Sequence, residues 1–376
     1  MLRTLLIIKT SSLGDVIHTL PALTDALRYY PHLQCDWVVE EAFAEIPAWH
    51  SAVRRVIPVA LRRWRKQPWQ TWYSGKWREF IDTLTAQPYD IVIDAQGLIK
   101  SAWLTYRARG VRCGLDRHSA REPLAALAYQ QRYAIDKNQH AVTRVRQLFA
   151  AALDYPVPTG APDYGIIHHF RCQQRCQNSS ESVTRKVSHH RPSPRLTGDH
   201  LNPIFSDPPI IIFLHGTTWV TKHWPENYWV ALAQRVTAAG FAVRLPWGND
   251  QEYQRAQRIA AHHSNISLIP KSDLSGIAIE LAQAAAVVGV DTGLAHLAAA
   301  LAVPSITLYG ATQPARTGTY GEQQQHLLAD FRCAPCLSKK CTYHGPSTDY
   351  PACYQQLSVD KVWGALQELL MVPEDI

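Results

Sequence analysis

The sequence predicts an α/β chain made of two doubly wound, Rossmann-like domains, and three features carry that expectation. At 376 residues the chain is long enough for two or three domains, and its 46% hydrophobic content is enough to fill their cores. Short apolar runs of strand type alternate with longer amphipathic segments, as in βαβ units. The alternation stops near residue 166 and restarts near residue 210, as it would for a second domain of the same kind.

In the first half the strand-like runs are 5–8, 36–39, 56–59 and 90–94. Strands covered on both faces read as continuous apolar runs, so a parallel sheet with helices on both sides is expected. In the second half the runs are 210–214, 242–245, 266–269, 286–290 and 305–309, with helices near 226–239, 252–262 and 274–285. The domains are therefore expected at 1–165 and 210–376. Between them, 166–209 has no clear periodicity and is rich in His, Arg, Ser and Pro; it reads as a linker or insertion, partly disordered, because an ordered loop of that length is unusual. The last periodic stretch, 359–370, predicts an amphipathic helix with Ser358 as its N-cap.

Lys and Arg number 38 against 31 Asp and Glu, a net charge of +7 that favours anionic partners without making the chain a polycation. No apolar run approaches the roughly 18 residues of a membrane span, and the first residues do not read as a signal peptide, so a cytoplasmic protein is expected. Eight cysteines do not make a disulfide scaffold. Cys35, Cys113, Cys172 and Cys176 show no partner pattern, whereas Cys333, Cys336, Cys341 and Cys353 are clustered.

Doubly wound sheets bind ligands beyond the carboxyl ends of their strands, so the informative loops are those that follow strands. After the first strand, Lys9 to His18 contains Gly14, which permits close approach at a helix entrance. It also contains Asp15, either the third helical residue of a capping box with Ser12 or a general base facing a cleft. After 286–290, the run Asp291-Thr292-Gly293-Leu294-Ala295-His296 opens a helix. The amides of Thr292 and Gly293 suit a diphosphate and Asp291 suits sugar hydroxyls, the alternative being an Asp cap with a core-facing His296. The loop after 210–214 offers Thr217, Thr218 and Lys222, a charge able to neutralise a leaving phosphate, and the loop after 242–245 offers Glu252 to a ribose diol. From Arg62 to Arg78 there are six basic residues, four Trp and no acid, which alone reads as a solvated face.

The runs KTSSLGDVIHTLPAL, WVVEEAFAEIPAWH, RRVIPVALRRWRK, DAQGLIKSA, AREPLA, KHWPE, LPWG and VDTGLAHL resemble the lipopolysaccharide heptosyltransferases of glycosyltransferase family 9, the heptosyltransferase I branch in particular. The resemblance extends over about 2–156 and 210–320. It implies a GT-B fold, two Rossmann-like domains facing a central cleft, and inverting, metal-independent transfer of L-glycero-D-manno-heptose from ADP-heptose to a Kdo residue of lipid A. It implies Asp15 as catalytic base and Lys222 as the group that stabilises departing ADP. Thr217, Thr218, Lys222, Glu252, Asp291, Thr292, Gly293 and His296 match sugar-nucleotide positions. The acceptor's phosphate and carboxylate groups would be met by Arg62, Arg63, Arg65, Lys66, Lys100 and Arg121. A peripheral position on the inner face of the cytoplasmic membrane, a monomeric state and no nucleic-acid partner follow as expectations.

The insertion and the Cys-x2-Cys-x4-Cys-x11-Cys spacing depart from the heptosyltransferase I pattern. Cys333, Cys336, Cys341 and Cys353 are a candidate structural zinc set, with reduced thiols as the equal alternative. Two other readings are the second heptosyltransferase of the same pathway, which the KTSSLGD and RRWRK runs favour less, and a non-catalytic nucleic-acid-binding protein using Arg62 to Arg78. The latter leaves the four cleft loops unexplained.

Overall fold

A computed structural model of the chain describes residues 2–67, 69, 73–170 and 208–371. Its centre is a pair of six-stranded, wholly parallel sheets. The first contains β1 (Thr4–Ile8), β2 (Gln34–Glu40), β3 (Val53–Val59), β4 (Ile91–Asp94), β5 (Val111–Leu115) and β6 (Gln131–Tyr133), in the order β3-β2-β1-β4-β5-β6. The second contains β7 (Ile210–Leu214), β8 (Ala242–Leu245), β9 (Ile266–Leu268), β10 (Ala286–Val290), β11 (Ser305–Tyr309) and β12 (Gln324–Leu328), in the order β12-β11-β10-β7-β8-β9. Read from the β9 edge, the second order repeats the first. Each sheet therefore has one switch point, at β1/β4 and at β7/β10, where the crossovers reverse direction and a crevice opens beyond the strand ends.

All nine expected strands are present. The three unexpected ones, β5, β6 and β12, carry polar residues or glycine: VRCGL, QRY and QQHLL. β6 and β12 are short sheet edges, where polar side chains are tolerated and apolar runs are not required. In β5, Gly114 is needed because a Cβ would stand 2.4 Å from the Tyr129 ring.

Leu5, Leu6, Ile7 and Ile8 of β1 are fully buried, as are Trp37 in the first domain and Phe213 and Trp229 in the second. The chain stays in the first core past residue 165: Ile166 and Phe170 are buried, and Phe170 packs edge-on against Trp49 with ring centroids 5.1 Å apart. The remainder of the predicted insertion, 171–207, with Cys172 and Cys176, lies outside the described residues. The terminal helix Val359–Met371 buries Val362, Leu366 and Leu369 in the second core, and Ser358 Oγ accepts the Lys361 N–H at 3.3 Å, the cap its sequence predicts. Among the described residues no helix is long and apolar enough to cross a membrane.

The carboxyl ends of the two sheets face each other, and polar contacts tie the domains together. Glu45 of the first domain accepts the Ser275 N–H at 2.8 Å and the Ser275 hydroxyl at 2.5 Å, at the start of the helix Leu274–Ala282. Trp49 Nε1 donates to the same Ser275 oxygen at 3.1 Å. On the opposite side Tyr164 donates to the Tyr320 carbonyl at 2.7 Å.

Candidate active site between the two sheets

A cleft of about 940 Å³ lies between the domains, and both switch points open into it. From the first domain it receives Ser12, Leu13 and Gly14, which follow β1, together with Phe43, Glu45 and Arg62. From the second it receives the loops after β7, β8 and β10, including Thr217, Thr218, Lys222, Glu252, Asp291, Thr292, Gly293 and His296. All eight residues expected at a sugar-nucleotide site thus line one cavity.

Asp15 lies in the short helix Leu13–Ile17 with Ser12 as N-cap. Its Oδ2 accepts the Ser12 N–H at 2.9 Å and the Ser12 hydroxyl at 2.8 Å, so the capping role is real. The capping role and a chemical role coexist, because a third of the Asp15 side chain remains exposed and its Oδ1 stands 3.9 Å from the Lys9 ammonium. Burial acts to raise the Asp15 pKa, but the Lys9 charge and the two Ser12 hydrogen bonds outweigh it and hold the carboxyl below its ordinary value. Lys9 is itself buried, donates to the Ala95 carbonyl at 2.8 Å, and has its pKa lowered by desolvation. Lys100 Nζ donates to Ser11 Oγ at 3.4 Å, on the loop that leads into Asp15, and Arg121 is near enough to act electrostatically on both Lys9 and Asp15.

Across the cleft, Lys222 Nζ donates to Asp291 Oδ2 at 2.6 Å and sits over the Trp219 ring, 4.7 Å from its centroid. Thr312 donates to the same Oδ2 at 2.6 Å, and Thr217 donates to the Asp291 carbonyl at 3.2 Å. Burial pushes the Asp291 pKa up, but the Lys222 charge and the hydrogen bonds from Lys222 and Thr312 push it further down, so the carboxylate is ionised. The expectation of Asp291 free for sugar hydroxyls is modified accordingly: Oδ2 is already committed, and Oδ1 faces His296 Nε2 at 4.0 Å. Thr292 caps the helix Gly293–Ala300 through its backbone position alone, with no side-chain cap bond, which leaves its hydroxyl available. Glu252 is positioned by its loop: its Oε2 accepts the Gly248 N–H at 2.8 Å, and Asn249 caps its helix. Thr218 is exposed at the cavity wall.

The helices that begin at Leu13 and Gly293 cross closely. A Cβ on Gly14 would stand 2.6 Å from His296 Cδ2, and one on Gly293 would stand 2.8 Å from Leu13 Cδ2. Behind them His296 Nδ1 lies 3.1 Å from His18 Nε2, and the His18 ring stacks edge-on to His140 at 5.4 Å. Desolvation depresses all three histidines, so they are neutral at pH 7.

Of the basic run, Arg62 lines the cleft, its guanidinium 5.6 Å from the Phe43 ring centroid, while Arg63 is tied to exposed Glu41 at 2.8 Å. Arg65 and Lys66 are exposed on the same helix, Leu61–Lys66. Cys333, Cys336, Cys341 and Cys353, for which the sequence leaves a structural zinc and reduced thiols as equal alternatives, lie near one another without a disulfide. Cys353 is buried and its thiol is pushed up to about 11, by burial first and then by Cys333, Cys336 and Cys341 nearby; Cys333 and Cys336 are exposed, and all four are free. Among the described residues no group of three or more His, Cys, Asp or Glu side chains is arranged to hold a metal ion.

Residues 77–346 match glycosyltransferase family 9 (heptosyltransferase). The chain belongs to this heptosyltransferase family. It is 51% identical to lipopolysaccharide heptosyltransferase 1 of Pseudomonas aeruginosa over 99% of both chains. Among solved structures, Escherichia coli heptosyltransferase WaaC with ADP superposes with a TM-score of 0.80 at 42% identity, covering 97% of this chain and 99% of that one. The same enzyme with ADP-2-deoxy-2-fluoro heptose gives 0.78 at 41% identity over the same shares. As a family 9 heptosyltransferase the chain is a glycosyltransferase of the GT-B type. Reading the sequence alone overlooks Lys9 and Glu45 in this heptosyltransferase. Lys9 stands at the head of the KTSSLGD run, and that position was the available signal; its burial against Asp15 was not.

Proposed function

We propose that the chain transfers L-glycero-D-manno-heptose from ADP-heptose to a hydroxyl of a Kdo residue on lipid A, with inversion at the anomeric carbon, in the inner core of lipopolysaccharide. What supports this reading is one arrangement: the Ser12–Gly14 loop of the first domain lines a single cleft with the Lys222–Asp291 pair and the helix start at Thr292, and the ionised, partly exposed Asp15 follows directly on that loop, close enough to act electrostatically on His296. The acceptor oxygen attacks C1 of the heptose on the face opposite ADP and gives its proton to Asp15. As the C1–oxygen bond to phosphate breaks, ADP leaves with the electron pair. The amides at Thr292 and Gly293 and the Lys222 ammonium receive the developing charge, with Thr217 and Thr218 beside them. Glu252 accepts from the ribose hydroxyls, and Asp291 accepts from a sugar hydroxyl through the Oδ1 that Lys222 and Thr312 leave free, with His296 behind it. Lys100, Arg121 and the Arg62, Arg63, Arg65 and Lys66 helix meet the acceptor's phosphate and carboxylate groups, and an acceptor carried by a lipid puts the enzyme at the membrane surface.

The deciding experiment supplies purified protein with ADP-heptose and two acceptors, Kdo–lipid A and the same molecule already bearing its first heptose. ADP release matched by heptosylation of the first acceptor alone is expected. Transfer only to the second acceptor would assign the chain to the next step of the core, and failure to bind ADP-heptose would overturn the reading.

A further inference from the structure

The helix Ile99–Arg107 buries Ala102 and Leu104 but also turns two hydroxyl residues inward and three large apolar ones outward. Ser101 and Thr105 are fully buried, their hydroxyls satisfied by donating to the carbonyls of Leu98 and Ser101 at 2.9 Å each. Ile99, Trp103 and Tyr106, spaced i, i+4 and i+7, form one stripe that faces outward; Ile99 is 52% and Tyr106 62% exposed. The short helix Pro123–Ala128 packs beside it and also turns large apolar residues outward, burying Ala125 and Ala126 while Leu124 and Leu127 stand 65% and 74% exposed. A helix facing water is expected to do the opposite, and contiguous exposed apolar side chains mark an interaction surface.

The charge around this face is equally one-sided. Segments 61–85, 99–112 and 116–132 together hold thirteen Lys and Arg against four acids, Glu79, Asp82, Asp116 and Glu122, whereas the rest of the chain holds 25 against 27. The segments adjoin in space: Trp103 stacks on Trp77 at 5.2 Å, Trp77 meets Trp64 at 5.4 Å, and Arg112 Nε donates to the Ala128 carbonyl at 2.9 Å. Glu122 is spent locally, accepting the Ile99 N–H at 2.6 Å. The guanidiniums of Arg107 and Arg112 lie over the Trp103 and Tyr106 rings, 5.8 and 5.4 Å from the centroids, where apolar stem and cationic head sit at one level.

We infer that the paired helices Ile99–Arg107 and Pro123–Ala128 form a docking face for an anionic lipid bilayer, with the leucines, Trp103 and Tyr106 entering the headgroup layer and the arginines pairing with lipid phosphates. A second copy of the chain would bring two strongly cationic faces together and is disfavoured by the same charge. The face adjoins the Asp15 loop, since Lys100 on the first of these helices reaches Ser11 at 3.4 Å. Docking would therefore hold the mouth of the cleft at the membrane. The purpose of the face rests on the proposed lipid-linked acceptor; its test does not.

The test is co-sedimentation with acceptor-free vesicles of phosphatidylcholine, with or without phosphatidylglycerol, at low and high salt. Binding that requires phosphatidylglycerol and falls with salt is expected. The double substitution Leu124→Ser and Leu127→Ser, at exposed positions that carry no fold, is expected to weaken vesicle partitioning about tenfold or more. It should leave turnover on a soluble, acyl-free acceptor unchanged and slow turnover on an acceptor embedded in vesicles. Absence of wild-type binding, equal binding to neutral vesicles, or a double variant that binds normally would overturn the inference. So would a reversible dimer in analytical ultracentrifugation that the double variant abolishes. Vesicle binding with the expected pattern by a protein inactive on every heptose acceptor would support the docking face and count against the proposed function alone.

Discussion

At Asp15 one carboxylate holds a helix start and keeps a third of its side chain exposed next to the cleft-lining Ser12–Gly14 loop, and the capping and proposed chemical roles separate under substitution. Asp15→Asn keeps an acceptor oxygen for the Ser12 N–H and removes the base. Turnover is expected to fall about 100-fold or more with ADP affinity little changed, measured by steady-state kinetics and calorimetry. Because Lys9 and Ser12 outweigh burial and keep the Asp15 pKa below its ordinary 3.8, the base is ionised throughout the neutral range. The kcat/KM profile should show no acid limb near pH 6 that belongs to this group; such a limb, lost in Asp15→Asn, would contradict the assignment. Lys222→Ala removes the cation expected to meet departing phosphate and leaves Asp291 half-paired at 14% exposure. Donor binding and turnover should both weaken. Since Lys222 and the helix amides are assigned the leaving-group charge, dialysis against EDTA should leave the rate unchanged.

Two elements set the width of the cleft and its charge. The helices at Leu13–Ile17 and Gly293–Ala300 approach so closely that Gly14→Ala must push His296 or the helix itself; overpacking of this kind costs about 1–3 kcal/mol. Reduced thermal stability and a loss of turnover are expected together. Gly248→Ala is the control, because its Cβ would meet only Glu252 Oε2, at an ordinary 3.5 Å. The helix Leu61–Lys66 divides its charges. Arg62 faces the cleft and Arg63 is held by Glu41, so Arg65→Ala with Lys66→Ala is the clean acceptor test. The acceptor KM should rise several-fold and the donor KM hold constant; a change in the donor KM instead would mark the helix as part of the nucleotide site.

For the whole molecule the buried histidines dominate the response to acid. His50, His140 and His215 are each pushed down to about 4, with burial the largest cause. Unfolded, each would take up a proton near 6.5, so the folded state binds fewer protons between those values and stability falls as pH drops through that window. The slope is about 1.4 kcal/mol per pH unit for each histidine. Buried Asp94, whose pKa is raised above 3.8 chiefly by desolvation, works in the opposite direction, its contribution being lost as pH rises through the raised value. Scanning calorimetry from pH 7 to 4.5 should show a falling melting temperature, and a flat one would mean that water reaches these rings.

The central strands and the four cleft loops were legible in the sequence. A parallel strand buried on both faces must be an unbroken apolar run, and a loop that follows it inherits its position at the ligand edge. Asp15, Lys222, Asp291, Thr292 and Glu252 could be named for that reason. The edge strands β6 and β12 were not legible, because an edge carries no periodic apolar signature. Tertiary structure alone decided which groups meet: Lys9 with Asp15, Lys222 with Asp291, Glu45 with Ser275, His18 with His296. It also decided that 166–170 belong to the first core and that Ile99, Trp103 and Tyr106 face outward beside Leu124 and Leu127. Periodicity is written locally over a few turns, whereas partners up to 278 residues apart are chosen by how two sheets pack, and that choice leaves no local mark on either residue.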